Sequence, residues 1–133
     1  MEDEYKDKVR IVWKNQPLPF HPNAMPSAEA AMAAGAQGKF WEMHDKIFAN
    51  QQTMDRTHYE QWAQELKLDM VKFKGDLDSG KFKDKIKADS DEGTKVGAGG
   101  TPTFFINGYK LVGAQPFDGF KKLIDQELAK LKK

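Results

Sequence analysis

The sequence predicts an α/β fold in which a small sheet of about three strands carries a long run of helices. Three observations point there. Thr103-Phe104-Phe105-Ile106 and Tyr109-Lys110-Leu111-Val112 flank Asn107-Gly108, and Asn-Gly between apolar runs is the strongest short-range hairpin signal, because a type I′ turn needs positive φ at both central residues. Residues 9–14 (Val-Arg-Ile-Val-Trp-Lys) alternate apolar and charged, the pattern of a half-buried strand. Between these two segments, and again after residue 116, apolar residues recur at helical spacing.

Taken in order, the strand is expected over 9–16, with Pro17 and Pro19 ending it and Pro22 keeping the next segment irregular. A helix follows over 24–34, rich in Ala and Met, with Asn23 as N-cap and Pro26 tolerated in the first turn. Its small side chains suit close approach to a neighbour. Gly35 and Gly38 punctuate its end. A second helix is expected over about residues 38–50, with Phe40, Trp41, His44, Ile47 and Phe48 as one apolar stripe. Asp55 can cap a third, whose buried face is Tyr59, Trp62, Ala63 and Leu66. Asp69 can cap a fourth with Phe73 and Leu77 inward, broken by Ser79-Gly80. Residues 81–96 read as a fifth, through Phe82, Ile86 and the small Gly93. Phe104-Phe105-Ile106 lacks alternation, which suits a strand buried on both faces. Pro102 must precede that strand, since it has no N–H for a ladder. Pro116 starts the closing helix, with Phe117, Phe120, Ile124, Leu128 and Leu131 along one face.

A chain of 133 residues is expected to form one domain and to bury roughly two thirds of its unfolded surface. Charged residues are 31% of it, yet the formal net charge is only +1, which gives no reason to expect nucleic acid or an acidic membrane as partner. The basic end (Lys130, Lys132, Lys133) is favourable charge at a helix C-terminus. No apolar run approaches membrane-spanning length, and the acidic opening Met1-Glu2-Asp3-Glu4 is unlike a signal peptide. The chain contains no cysteine. Thiol-disulfide exchange needs a thiolate attacking a sulfur, so this chain by itself cannot perform it.

Gly100-Thr101-Pro102-Thr103-Phe104-Phe105-Ile106-Asn107-Gly108, followed by a second strand and a closing helix, resembles the C-terminal half of a thioredoxin fold, and more narrowly the DsbA-like family of thiol-disulfide oxidoreductases. Residues 13–22 (Trp-Lys-Asn-Gln-Pro-Leu-Pro-Phe-His-Pro) resemble that family's strand after its active-site helix. Residues 37–45 (Gln-Gly-Lys-Phe-Trp-Glu-Met-His-Asp) resemble the start of its second insertion helix. The resemblance covers nearly the whole sequence. It implies a single DsbA-type domain over 1–133: a strand at 9–16, a helical insertion at 23–97, and the cis-Pro loop, hairpin and closing helix at 98–133. The family's opening strand, Cys-x-x-Cys and following helix have no counterpart here, and residues 4–8 (Glu-Tyr-Lys-Asp-Lys) resemble only the tail of that helix. The sheet would then lack its middle strand, and unpaired edges with exposed apolar surface promote association. The expected partner is therefore a second copy of the chain, completing the sheet by strand exchange or by pairing with the 9–14 strand; the alternative is that the chain closes the gap by pairing its own strands directly.

An X-Pro bond has only about 5% odds of being cis; the resemblance implies that Thr101-Pro102 is. It also implies that Gly100, Thr101 and Pro102 form a peptide-binding loop, Thr101 adding its backbone to a bound protein or peptide segment as a strand would. The alternative is a structural turn before a buried strand. No catalytic residue, cofactor or metal is expected. His21, His44 and His58 share no metal-ligand spacing such as His-Glu-x-x-His. His44, on an apolar stripe, reads as a core histidine, and Asp45 beside it faces another side of the helix. Ser27, Ser79 and Ser90 lack a nucleophile-elbow context. Residues 97–100 (Gly-Ala-Gly-Gly) follow a helix and precede a strand, the wrong order for a phosphate loop. The helix through residues 81–87, with Asp84, Asp89 and Asp91, reads as a solvated face, and the Met residues read as core filler.

Two functional expectations follow. One is the C-terminal part of a DsbA-like thiol-disulfide oxidoreductase, redox-inactive without cysteine. The other is a non-catalytic thioredoxin-like peptide-binding or assembly module that oligomerises. The glutathione-binding branch of the thioredoxin-like proteins is disfavoured, because a plain hairpin follows the loop. The resemblance implies an oxidising compartment such as the periplasm.

Overall fold

The computed structural model describes residues 5–18 and 20–131, the side chain of Lys6 excepted. The readings placed on residues 1–4, on Pro19 as a strand stop and on Lys132 and Lys133 as helix-end cations lie outside the described residues. After a 3₁₀ turn at Lys6–Lys8 the elements run α1 (Ala24–Gly35), α2 (Phe40–Ala49), α3 (Arg56–Glu65), α4 (Met70–Ser79), α5 (Lys83–Lys95), β1 (Thr103–Ile106), β2 (Tyr109–Val112) and α6 (Phe117–Leu131). They form two compact units. One comprises Lys14–Glu92; the other comprises Gly93–Lys133 together with the chain's start as far as Trp13.

In the first unit α1 is the seat of the core. Ala30, Ala33 and Ala34 have no exposed surface, and with no side chain beyond Cβ they let α2, α3 and α4 all pack against α1. Gly35 continues the close approach, since a Cβ there would sit 3.2 Å from Phe40 Cβ. Met43, Ile47, Tyr59, Trp62, Ala63 and Phe73 close the cluster. The starts of α3 and α4 are capped as their sequences anticipate: Asp55 accepts from His58 N at 2.9 Å and Asp69 from Lys72 N at 3.1 Å, each satisfying an otherwise orphaned helix donor. Gly80 ends α4 in the left-handed region, φ 64°. Asn23 stands at the N-cap of α1, but its side chain makes no cap bond.

The stripe expected on α2 is divided. Met43 and Ile47 are its buried residues and Phe40 is packed against the core, while Trp41 and Phe48 are exposed. His44 lies between those two rings, 4.2 Å from the Phe48 centroid and stacked on it. Its Nδ1 is also 3.2 Å from Asp45 Oδ1, so the two side chains do meet, contrary to the expectation from helical spacing. Asp89, expected on a solvated face, is 3% exposed.

In the second unit β1 and β2 form a two-stranded antiparallel sheet in the register Thr103↔Val112, Phe104↔Leu111, Phe105↔Lys110, Ile106↔Tyr109. Asn107 (φ 50°) and Gly108 (φ 94°) supply the two positive φ values of the turn. Phe104 stands edge-on to Phe120 of α6, centroids 4.8 Å apart, and Ile106 and Leu111 pack with Val9 and Leu128 around Tyr5, Phe120 and Ile124. Tyr5 Oη donates to Asp125 Oδ1 at 2.8 Å, which ties the chain's start to α6. That bond, followed by Lys121, holds the Asp125 carboxyl below the usual range.

Two expectations about the sheet are corrected. The strand over 9–16 is not formed: residues 9–18 carry no strand pairing among the described residues, and Ile11, Val12 and Trp13 are exposed. An alternating segment becomes a strand only when a neighbour takes its N–H and C=O groups, and no described strand lies there to do so. Nor is β1 buried on both faces. Phe105, opposite Lys110 on the face away from α6, is 45% exposed and Val112 is 55% exposed.

Candidate functional site

The proline loop leaves α5 through Gly97, φ 84°, where Ala98 N donates back to Gly93 O at 2.7 Å. Lys110 Nζ donates to Gly97 O at 2.6 Å, pinning the start of the loop to β2. Gly99, Gly100, Thr101 and Pro102 are all exposed, and the Thr101–Pro102 peptide bond is cis. Thr103 Oγ1 donates to Gly100 O at 2.6 Å, which folds the loop onto the first residue of β1. Gly113 N donates to Pro102 O at 2.8 Å.

That last bond fixes which way each peptide group faces. In a hairpin with a two-residue turn, the closing pair Ile106↔Tyr109 is hydrogen-bonded, and bonded pairs then alternate with non-bonded ones. Phe104↔Leu111 and Pro102 with Gly113 therefore continue the bonded series. The N–H and C=O groups of Thr103 and Phe105 point to the opposite edge, where no strand pairs with β1 among the described residues. The three sequence-derived residues Gly100, Thr101 and Pro102 thus lie at one end of an open strand edge about three residues long. Sequence reading missed Thr103 and Phe105 as members of this edge. Hairpin register alone would have found them.

The edge offers hydrogen-bonding groups and little else. The unit contains no thiol, and among the described residues no group of three or more His, Asp or Glu is placed to hold a metal. The arrangement leaves main-chain donors and acceptors without a strand partner among the described residues, and with no thiol in the chain it cannot by itself exchange disulfides.

The buried polar pair of the helical unit is the other unexpected feature. Asp89 Oδ2 accepts from Asn15 N at 3.2 Å and from Asn15 Nδ2 at 2.9 Å, and Asp89 Oδ1 accepts from Lys85 Nζ at 2.7 Å. Burial opposes the charged carboxylate, but the bonds from Lys85 and Asn15 outweigh it and hold its pKa below the ordinary aspartate value. Every strong donor is spent on one clamp, so this is a structural group.

Comparison with known proteins places the chain. A family model described as a DSBA-like thioredoxin domain matches residues 3–125. Among curated relatives, the Na(+)/H(+) antiporter NhaA 3 of Salinispora tropica is 42% identical over 101 residues, 75% of this chain and 16% of that protein. The Na(+)/H(+) antiporter NhaA 1 of Salinispora arenicola is 36% identical over 122 residues, 91% of this chain and 19% of that protein. The Na(+)/H(+) antiporter NhaA of Herminiimonas arsenicoxydans is 37% identical over 110 residues, 83% and 17% of the two chains. The chain therefore spans less than a fifth of the length of these relatives. No solved structure matches it. With most of its length under one family description, the chain belongs to the DSBA-like thioredoxin domain family.

Proposed function

We propose that this chain is a redox-inactive DsbA-like module that binds an extended peptide segment along the open edge of β1. The observation that carries the reading is the set of outward-facing backbone groups at Thr103 and Phe105, continuous with the exposed Gly100-Thr101-Pro102 loop. Strand addition draws affinity from main-chain hydrogen bonds and specificity from alternate side chains; here Phe105 and Val112 provide the exposed apolar face beside the edge. A second copy of the chain is one source of such a segment, which would make the module a homo-oligomer through its strand edges. The test is an NMR titration with a short peptide of alternating Val and Thr. Amide shifts confined to residues 99–105 support strand addition, and N-methylation of alternate peptide amides should abolish them. Shifts that survive N-methylation would sink the reading. An insulin-reduction assay is expected to show no turnover.

A second reading rests on the relatives named as Na(+)/H(+) antiporters. We infer that the module is one domain of a longer polypeptide that includes such an antiporter. An antibody raised against residues 24–95 should then detect, in membranes of the native host, a band several times larger than this chain. A soluble band of this chain's own size would refute it.

A further inference from the structure

The helical unit contains a cleft of about 340 Å³ between the first turns of α1 and α3 and the last turn of α4. It lies wholly within Lys14–Glu92 and shares no residue with the proline loop. Two of its lining residues carry an unusual feature: Glu29 Oε1 and Tyr59 Oη are shielded from solvent and have no hydrogen-bond partner. Tyr59 is 2% exposed. Buried polar atoms are ordinarily satisfied, because an orphan loses its hydrogen bonds to water and gains none in return. Two orphans on one cleft call for a common partner.

The chemistry of the walls narrows what that partner is. Both orphans are oxygens able to accept, so one group with two or more N–H donors satisfies them together. An anion would satisfy the Tyr59 hydroxyl but would be repelled by Glu29. Neither neighbouring helix start offers an anion site, because Asp55 already caps α3 and Pro26 removes a donor from the first turn of α1. Arg56, the cationic residue of the lining, is engaged by Glu60 at 3.4 Å and Asp78 at 2.9 Å. The charges left facing an occupant are the carboxylates of Glu29 and Asp55. Pro26, Met54 and Leu77 supply apolar wall for a short aliphatic stem.

We propose that this cleft binds a primary alkylammonium group, its nitrogen donating to Glu29 Oε1 and Tyr59 Oη and its methylene stem lying on Met54 and Leu77. The group is carried either by a free amine or by a lysine side chain. Because both orphan oxygens are shielded, entry requires rotation of the Glu29 carboxylate and a shift of the Tyr59 ring that open both oxygens to the cleft.

The test is an NMR titration of the intact chain, at fixed ionic strength, with three probes: 1,5-diaminopentane, an N-acetyl-lysine N-methylamide, and inorganic phosphate. Shifts centred on Asn23, Glu29, Met54 and Tyr59 are expected with the amines and not with phosphate. Binding of the free diamine alone assigns a small-amine site, and binding of the lysine amide as well assigns a lysine-docking site. Glu29→Gln should weaken binding about tenfold or more, the scale of one charge-assisted hydrogen bond. Tyr59→Phe should weaken it a few-fold while leaving the fold intact, checked by unchanged amide shifts in α2. The proposal is overturned if neither amine shifts these residues, if the shifts spread over every surface carboxylate, if NaCl at matched ionic strength produces the same shifts, or if Glu29→Gln binds as tightly as the parent.

Discussion

In the helical unit Ala30, Ala33, Ala34, Met43, Ala63 and Phe73 have no exposed surface, whereas in the unit carrying the hairpin Ile11, Val12, Phe105, Val112 and Leu131 all stand largely in solvent. The difference is one of closure. Four helices satisfy most of their backbone groups within themselves, leave the rest at their ends to caps such as Asp55 and Asp69, and bury their apolar faces on one another. A two-stranded hairpin with one helix leaves both outer strand edges without a strand partner among the described residues and one sheet face uncovered, and a lone hairpin is marginal in water. One chain thus contains a unit with a closed helical core, although Phe20, Trp41, Phe48 and Val71 stand exposed on its surface, and a unit with an uncovered sheet face, and the candidate peptide-binding edge belongs to the second.

Substitutions can break or sharpen that contrast. The largest effect is expected from Phe73→Ala, which empties a site of zero exposure and should cost about 3–5 kcal/mol, read as the loss of the urea midpoint by far-UV circular dichroism. Asp89→Ala should follow at about 3 kcal/mol, because it removes the buried carboxylate oxygen that accepts from both Asn15 N and Asn15 Nδ2. The same residue makes a pH prediction. The folded pKa of Asp89 is depressed, so its contribution is present above the unfolded aspartate value of about 3.9 and is lost as pH falls through the lower folded value. Between neutral pH and about pH 2.5 the parent should therefore lose more stability than Asp89→Asn does. Equal losses in the two proteins would show that the clamp is not the acid-sensitive element.

Smaller effects are expected in the hairpin unit. Gly108→Val places a β-branched residue at φ 94° and should cost about 1–2 kcal/mol locally, seen as faster amide exchange across 103–112 with α1 to α4 unchanged. Phe105→Thr is the most diagnostic and should do least: with the ring 45% exposed, stability should move by no more than about 0.5 kcal/mol. A loss of several kcal/mol would mean that this face is covered, and the contrast between the units would fall with it.

What was legible in the sequence follows the same division between local and distant causes. The hairpin could be read to the residue because Asn107-Gly108 dictates its own φ values, and the caps of α3 and α4 could be read because Asp55 and Asp69 bond three residues away. The stripe on α2 was half legible: with apolar or aromatic residues at 40, 41, 43, 44, 47 and 48, two adjacent lines both look like a core face, and only the position of α1 selects Met43 and Ile47 over Trp41 and Phe48. The strand at 9–16 was not legible, since alternation is a property of the segment while pairing is a property of its neighbour. Asp89 was hidden for the plainest reason. Its partner Asn15 is 74 positions away, and nothing in a Lys-rich helix distinguishes one aspartate that will be enclosed from two that will not. At the candidate site, Gly100, Thr101 and Pro102 were legible through family resemblance; the direction of the edge at Thr103 and Phe105 needed the register.

The alanine surface of α1 has one more consequence. Because three other helices rest on the same few methyl groups, none of them can lift away without disturbing the ground under the others. Slow amide exchange in this unit should therefore disappear as a single block, with α1 through α4 sharing one opening event, rather than helix by helix from the ends.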